Sequence, residues 1–240
     1  MPFLQAALNG DRDHPATPRT PDEIAAEAVA TVRAGAMSLH LHAFDRDGRQ
    51  TLAANACAAV LRAVRAVCPG IPLSLTTSAD IEPDPRKRLE LVTAWTDLPE
   101  LVTANMGEDG ILPLCDLLDQ RAVGIEAGLL SVDDARAFVA ANVAARCVRA
   151  LIEPLDADPA EAIAHAERIE DVLAQAGLQL EQVHHGDGVA SWAVNRRALE
   201  RGHGIRTGLE DTPVLADGRP ALGNAELVTE AATLIDEIHR

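Results

Sequence analysis

The sequence predicts a single-domain (β/α)8 barrel, the TIM-barrel fold, and three observations support this prediction. Short apolar segments of strand length alternate with longer Ala-rich amphipathic segments along the whole chain, eight of each. The length of 240 residues is close to the usual size of this fold, about 250 residues. No linker rich in Pro or Ser divides the chain, so we predict one domain over residues 1–240.

The first half of the chain supplies four strand–helix pairs. The predicted strands cover residues 3–8, 37–42, 71–76 and 101–104, and the predicted helices cover residues 21–34, 52–67, 85–95 and 111–120. The first helix has a well-marked start, because Thr20 is a favoured N-cap residue and Pro21 fits the first turn. It is predicted to end at Gly35, a residue that commonly terminates helices.

The second half repeats the pattern. Its predicted strands cover residues 123–126, 146–152, 180–184 and 204–209, and its predicted helices cover residues 132–142, 159–176, 190–201 and 224–239. A doubly wound open sheet is the competing fold, but it would usually need fewer units and a Gly-rich first turn. The first turn here is Asn9-Gly10-Asp11-Arg12, which lacks the GxGxxG pattern.

Composition and charge exclude some classes of partner. The chain has 21 basic and 37 acidic residues and a formal net charge of −16, so we expect no nucleic-acid partner. An anionic substrate would have to be held by a local arginine, because the overall field does not attract it. Aromatic residues make up 2% of the chain, so Ala, Val, Leu and Ile must fill the core.

The cysteines and the termini indicate a cytoplasmic protein. Cys57, Cys68, Cys115 and Cys147 form no CxxC pair, and we predict buried free thiols in a reducing compartment. The N-terminus lacks the basic region and apolar stretch of a signal peptide. No apolar run approaches the roughly 20 residues that span a bilayer, so we expect no membrane partner.

Polar or ionisable residues stand at the ends of the predicted strands, where barrel enzymes place their chemistry. They are Asn9, His40 with His42, Thr76 with Thr77, Thr103 with Asn105, Glu126, Glu153, His184 with His185, and Glu210 with Asp211. Thr76 and Thr77 could instead belong to a helix-capping cluster before Asp80. His184 and His185 could support another side chain, contact a substrate or only pack.

His40-Leu41-His42 and Glu210-Asp211 form the main candidate for a metal site. Alternate residues of a strand share a face, so both imidazoles point the same way and can bind one divalent metal. Glu210 would add a third ligand and leave one position open, as in catalytic zinc sites, with Asp211 free to act as a base. The structural alternatives are hydrogen-bonded core histidines and a carboxylate pair at a helix N-terminus.

Two segments resemble the β-keto acid cleavage enzymes, a family whose type activity is 3-keto-5-aminohexanoate cleavage. The first segment includes Asn9-Gly10, Thr20-Pro21-Asp22-Glu23-Ile24-Ala25 and Ala34-Gly35-Ala36-Met37-Ser38-Leu39-His40-Leu41-His42. The second segment is Gly204-Ile205-Arg206-Thr207-Gly208-Leu209-Glu210-Asp211. The order of the two motifs, their strand placement and their internal spacing agree with the family.

The resemblance implies a zinc-dependent barrel enzyme that exchanges acyl groups between a β-keto acid and the co-substrate acetyl-CoA. Retro-Claisen cleavage would give acetoacetate and a new acyl-CoA. His40, His42 and Glu210 would bind one zinc ion per chain. Asp211 would be the base, and Arg206 would orient it. Family members usually associate, so the resemblance also implies a homo-oligomer, a dimer or a tetramer.

The resemblance also implies substrate contacts, at Thr76, Thr103, Glu126 and Arg12. Arg12 stands where the type enzyme has an acidic residue, which argues for a neutral or anionic substrate. Other departures are Ala43-Phe44-Asp45 after the HxH motif, where the family often has Val-Arg-Asp, and Thr77-Ser78-Ala79 in place of Thr-Gly-Gly. The seventh predicted strand ends in His184-His185-Gly186-Asp187 instead of a Gly-rich turn.

Two other functions remain open on the sequence. A metal-dependent barrel hydrolase or lyase that does not use CoA could also carry an HxH pair, although that class normally carries it on the first strand. A non-catalytic relative could keep the barrel for binding or assembly. Loss of metal on substituting His40 would separate both enzymes from the third function. Dependence of the product on acetyl-CoA would separate the two enzymes.

Overall fold

The computed structural model describes residues 2–239 and contains eight strands alternating with eight α-helices. The strands are β1 (Leu4–Ala7), β2 (Ser38–Leu41), β3 (Leu73–Thr76), β4 (Leu101–Asn105), β5 (Gly124–Leu129), β6 (Cys147–Ile152), β7 (Glu181–His184) and β8 (Gly204–Thr207). The helices are α1 (Pro21–Ala34), α2 (Ala54–Val67), α3 (Pro85–Thr93), α4 (Ile111–Gln120), α5 (Val132–Ala141), α6 (Pro159–Gln175), α7 (Ala190–Glu200) and α8 (Asn224–Ile238).

All eight strands are parallel and form one closed barrel in sequence order, which confirms the predicted fold. β1 completes the barrel by pairing with β2, where Gln5 lies opposite Ser38, and with β8, where Leu4 lies opposite Ile205. Because β2 and β8 flank the same strand, the residues that follow them lie close together at one rim. The two halves of the candidate site come from these ends.

Side-chain caps mark the starts of several helices. Thr20 and Glu23 form a reciprocal capping box at the start of α1: the Thr20 hydroxyl accepts from the Glu23 amide, and the Glu23 carboxylate accepts from the Thr20 amide. Asp158 caps α6 immediately before Pro159, the first residue of that helix, and Ser131 caps α5. Each cap satisfies amide groups that have no partner inside the helix.

The fifth strand is longer than predicted, and this changes the position of Glu126. The prediction that the strand ends at residue 126 is wrong, because β5 continues to Leu129. Ala127 pairs with Ala104 and Gly128 with Asn105, so the small residues after Glu126 extend the ladder. Glu126 therefore lies inside the strand and fully buried, below the rim where the other candidate residues lie.

Small aliphatic side chains fill the space between the barrel and the helices. Leu, Ile, Val and Ala dominate the buried core, as the scarcity of aromatic residues predicts. The four cysteines are buried and free, which confirms the prediction for them. Among the residues described, no helix combines the length and the apolar character needed to cross a membrane.

Gly208 joins β8 to the segment that carries Glu210, and replacing it by alanine is expected to destabilise the barrel strongly. Its φ is +155°, and an added Cβ would lie 1.9 Å from the carbonyl oxygen of Ala7 in β1. Gly208→Ala should therefore lower the free energy of unfolding by about 3 kcal/mol or more.

Urea unfolding followed by circular dichroism measures this effect, with Gly218→Ala as the matched control. Gly218 also has a positive φ, +86°, but nothing lies within 4 Å of an added Cβ. Its replacement should cost only the backbone strain, about 1 kcal/mol. Equal losses for the two variants would contradict the expected clash with β1.

Candidate metal centre and active-site cavity

Two imidazoles and one carboxylate meet at the carboxyl-terminal rim of the barrel. His40 lies in β2, His42 follows the last residue of that strand, and Glu210 lies in the segment after β8. The Nε2 atoms of His40 and His42 are 3.3 Å apart. They lie 3.5 Å and 3.3 Å from the two carboxylate oxygens of Glu210. The three side chains thus present a compact triangle of ligand atoms.

The spacings between these ligand atoms, 3.3–3.5 Å, match those between neighbouring ligands of a tetrahedral zinc site. Bonds of about 2.0–2.2 Å at tetrahedral angles place two ligand atoms about 3.3–3.6 Å apart. Glu210 Oε2 is buried and has no hydrogen-bond partner among residues 2–239, so a cation would satisfy it. The donor set fits a zinc ion with a fourth position left for a substrate.

Hydrogen bonds to the other ring nitrogens fix the orientation of both imidazoles. His40 Nδ1 lies 3.3 Å from the Ser74 hydroxyl and 3.2 Å from the Thr103 hydroxyl. Gln50, in the loop after β2, supplies its side-chain oxygen to His42 Nδ1. With Nδ1 engaged in each ring, Nε2 is the nitrogen available for a metal.

Asn9 holds the end of β2 in place. Its side-chain oxygen accepts a hydrogen bond from the His42 amide at 2.8 Å, and its side-chain nitrogen donates to the His42 carbonyl at 3.1 Å. The same nitrogen donates to the Pro18 carbonyl. The Asn9 side chain therefore satisfies both backbone polar groups of His42. It holds this residue in place although β2 ends one residue earlier.

The environment keeps His40 neutral. Burial lowers the pKa of His40 to about 3; the charge of Glu210 opposes this shift, and Arg206 and His42 add to it. Burial also disfavours the charged form of His42, but the attraction of Glu210 and hydrogen bonds to Glu210 and Gln50 outweigh it and raise the pKa of His42. A neutral imidazole is the form that binds a metal.

Arg206 organises the two carboxylates that follow β8. Its Nη2 lies 2.6 Å from Asp211 Oδ1 and 3.0 Å from Glu210 Oε1, and its Nε lies 3.2 Å from each Asp211 oxygen. Burial acts to raise the pKa of Asp211, but the guanidinium of Arg206 outweighs it and lowers the pKa below its usual value. Asp211 is therefore a buried, ionised carboxylate beside the candidate metal ligands.

His185 and Glu153 extend this network beyond Asp211. His185 Nδ1 lies 3.4 Å from Asp211 Oδ1, and His185 Nε2 lies 3.5 Å from Glu153 Oε2. Burial raises the pKa of Glu153, although the neighbouring His185 and Arg206 side chains oppose this effect. A raised pKa favours the protonated form of this carboxyl group, in contrast to Asp211.

A cavity of about 600 Å³ opens above these residues. Its walls combine candidate metal ligands, carboxylates and hydroxyl groups with three arginines. The lining residues include His40, His42, Thr76, Thr103, Glu153, Arg206, Glu210, Asp211, Arg12 and Arg49. A cavity of this size can hold a small-molecule substrate.

A second group of possible ligands, formed by Glu170, His184 and His203, lies away from this cavity. The carboxylate of Glu170 is already bound by Arg197 through both terminal nitrogens, at 2.7 and 3.0 Å, and by Arg201 at 2.8 Å. Two guanidinium groups would repel a cation there. This cluster is a buried ion-pair network that joins α6 to α7, and it is a poor metal site.

The family model described as beta-keto acid cleavage enzyme matches residues 3–240. The chain belongs to this family. One relative, the 3-oxoadipate:acetyl-CoA acetyltransferase of Cupriavidus necator, is 27% identical over 259 aligned residues, covering 99% of this chain and 88% of the relative. Another, the 3-keto-5-aminohexanoate cleavage enzyme of Fusobacterium nucleatum, is 30% identical over 115 residues, which are 45% of this chain and 42% of that relative.

Solved structures share the barrel of this β-keto acid cleavage family member. A ternary complex of ObcA with a C4-CoA adduct and oxalate superposes with a TM-score of 0.77 at 18% identity and covers 93% of this chain. Apo ObcA superposes with a TM-score of 0.73 at the same identity. The chain spans only 64% and 61% of those ObcA chains, so the likeness shows the fold.

Most of the residues that the family resemblance predicts for the site meet at the cavity. The residues that line it are His40, His42, Glu210, Arg206, Asp211, Thr76, Thr103 and Arg12. The predicted roles themselves stay predictions, because contacts within the chain do not identify a substrate.

Glu126 is the predicted site residue that does not line this cavity. It accepts a hydrogen bond from Gln5 at 2.9 Å and another from Ser74, and Arg149 lies 3.7 Å away. The Ser74 hydroxyl also reaches His40 Nδ1. In this family member, Glu126 thus connects to the candidate metal ligand His40 through the hydroxyl groups of Ser74 and Thr103.

The sequence did not reveal the roles of Ser74 and Gln50 or the contacts of Arg12 within the chain. Ser74 could have been found, because it alternates with Thr76 in β3 and pairs with His40 in register. Gln50 carries no local signal, because its position depends on a small hairpin closed by Phe44 and Gln50. Arg12 contacts Asp187 and donates to the carbonyls of Glu210 and Asp211 at 3.3 Å each, so it also braces the segment after β8.

Proposed function

We propose that this protein is a zinc-dependent acyltransferase that cleaves a β-keto acid with acetyl-CoA as co-substrate, giving acetoacetate and a new acyl-CoA. One observation carries the proposal: the ligand triangle of His40, His42 and Glu210 lies beside an ionised Asp211 held by Arg206, in one cavity. The family and the names of its relatives supply the substrate class.

The metal and the base have complementary tasks in this reaction. A zinc ion bound by His40, His42 and Glu210 would supply Lewis acidity, which polarises the keto group and lowers the barrier to removing the adjacent proton. Asp211 takes that proton from the carbon between the two carbonyl groups of the substrate. Arg206 keeps Asp211 ionised before the transfer and fixes its two oxygens.

The remaining steps balance without an additional reactant. The enolate carbon attacks the thioester carbonyl of acetyl-CoA, and the CoA thiolate leaves. The thiolate then attacks the original keto carbon, and the bond between this carbon and the neighbouring carbon breaks. The products are an acyl-CoA and the enolate of acetoacetate, which recovers its proton from Asp211. The base thus returns to its starting form.

Arg12 supports a substrate whose far end is neutral or anionic. Its side chain is partly exposed, lines the cavity and keeps Nη1 free of hydrogen bonds to the described residues. Arg49 also lines the cavity. A positively charged amino group would be repelled by both guanidinium groups, whereas a carboxylate could be held by a charge-assisted hydrogen bond.

A homo-oligomer in a cytoplasmic setting is part of the same proposal. Four buried free thiols are compatible with a reducing compartment. The usual association of family members into oligomers supports the homo-oligomer. The small-molecule partners would be the β-keto acid and acetyl-CoA.

The proposal is tested by metal analysis followed by a substrate panel. We expect about one zinc per chain by elemental analysis and acetyl-CoA-dependent acetoacetate with at least one β-keto acid. The panel should include 3-oxoadipate and 3-keto-5-aminohexanoate, the acids named in the relatives, and Arg12 predicts the higher kcat/KM for 3-oxoadipate. Product formation without acetyl-CoA would instead identify a hydrolase or another lyase.

A further inference from the structure

His185 is a buried imidazole between two carboxyl groups, and the proposed reaction assigns it no role. It follows the last residue of β7, and its side chain is 1% exposed. Its Nδ1 faces Asp211 Oδ1 at 3.4 Å and its Nε2 faces Glu153 Oε2 at 3.5 Å. Neither nitrogen has a hydrogen-bond partner at ordinary distance and angle among residues 2–239. The ring therefore has two polar neighbours, and one of them is the proposed base.

We propose that His185 is a positioning residue that fixes the orientation of the Asp211 carboxylate, with Glu153 anchoring the far side of the imidazole. The inference rests on the proposed function, in which Asp211 removes the proton from the substrate. His185 and Arg206 both approach Oδ1, whereas among residues 2–239 the hydrogen-bond partner of Oδ2 is Arg206 Nε alone. This asymmetry leaves Oδ2 as the less engaged oxygen and hence the better proton acceptor.

The shape of the ring suits a bridge between the two carboxyl groups. An imidazole has two ring nitrogens, and each can take part in a hydrogen bond. In His185, Nδ1 faces Asp211 and Nε2 faces Glu153, so one ring can contact both side chains at once. The contacts are slightly longer than typical hydrogen bonds, and such contacts commonly shorten when a substrate binds.

The backbone around His185 holds the ring in this position. The His185 amide donates to the Ile152 carbonyl at 3.1 Å, at the end of β6. Two residues after Gly186, the Gly188 amide donates to the Asp211 carbonyl at 2.8 Å. The loop after β7 therefore contacts Asp211 twice, through the main-chain amide of Gly188 and through the side chain of His185. A ring that served only for packing would not require two contacts between this loop and Asp211.

The test compares His185→Ala with His185→Gln, because a glutamine amide can still donate to Asp211 and accept from Glu153. We expect kcat for acetoacetate formation to fall about 10–100-fold in His185→Ala and to recover at least partly in His185→Gln. KM for the β-keto acid should change less than about threefold, because the lost contact acts on the base. Zinc content should stay at the wild-type value in both variants.

A matched control removes a different imidazole–carboxylate contact. His165 Nδ1 lies 2.7 Å from Asp156 Oδ2, and neither residue lines the cavity. His165→Gln should retain wild-type kcat. Exchange of the substrate's α-proton with solvent deuterium, followed by NMR without acetyl-CoA, reports proton removal alone and should slow in His185→Ala in parallel with kcat.

Crystal structures of wild type and His185→Ala separate this inference from the proposed function. A changed orientation of the Asp211 carboxylate in the variant supports positioning, even when the wild type makes no acetoacetate. An unchanged carboxylate together with unchanged proton exchange overturns the inference, even when the wild type is an active acyltransferase. Equal loss of kcat in His185→Ala and His185→Gln, with loss of zinc or of the folded state, would also overturn it.

Discussion

Replacing Asp211 by asparagine is expected to lower kcat for acetoacetate formation by about 10²–10⁴-fold. This corresponds to about 3–5 kcal/mol of transition-state stabilisation. An asparagine side chain has nearly the same size and can still accept a hydrogen bond from Arg206, but it cannot take a proton from the substrate. The steady-state rate of acetoacetate production from the preferred β-keto acid measures the effect.

The loss of kcat can be assigned to the general base only if the variant keeps its metal content and its fold. Asp211 is not one of the three candidate ligands, so Asp211→Asn should retain the wild-type amount of zinc. Asp156→Asn is a suitable control, because Asp156 is partly buried but does not line the cavity. It should retain wild-type kcat. An Asp211→Asn variant with kcat within about threefold of wild type would exclude Asp211 as the general base.

The barrel could be predicted from sequence because its units are local. Each strand–helix pair carries its own apolar pattern and start signals, such as Thr20 with Glu23 at α1 and Asp158 with Pro159 at α6. The metal site was also predictable, because the period of a strand places His40 and His42 on one face, and the order of strands in a closed barrel leaves only β1 between β8 and β2.

The support around the site depends on contacts that the sequence does not encode locally. Gln50 reaches His42 through a hairpin in the loop after β2, and Arg12 reaches Asp187 from the opposite end of the chain. β5 extends past its predicted end at residue 126 because Gly128, a residue type that is disfavoured in strands, pairs with Asn105. Such positions are set by tertiary packing, which overrides local preference.

His42→Ala is expected to remove the metal and abolish activity. The variant deletes one of three ligand atoms that lie within 4.8 Å of one another and leaves Glu210 with one fewer partner. Zinc affinity should fall more than about 100-fold, because changes to groups that merely orient ligands already cost 10–100-fold. Elemental analysis after dialysis and a competition titration with a chromogenic chelator measure the loss.

Two further variants distinguish the loss of a metal ligand from a general disturbance of the barrel rim. Gln50→Ala removes the partner of His42 Nδ1 but keeps every ligand atom, so zinc affinity should fall by about 10–100-fold. His165→Ala removes an imidazole that belongs to neither candidate metal cluster, and it should leave zinc content unchanged.

The thermal stability of the protein provides an independent measurement of zinc binding. An ion that binds only the folded chain raises the free energy of unfolding by RT ln(1 + [L]/Kd), about 2.7 kcal/mol at a free concentration of 100 Kd. Added zinc should therefore raise the Tm of the metal-free wild type and leave His42→Ala almost unchanged. Equal zinc content and equal Tm shifts in wild type and His42→Ala would place the metal elsewhere and remove the basis of the proposed chemistry.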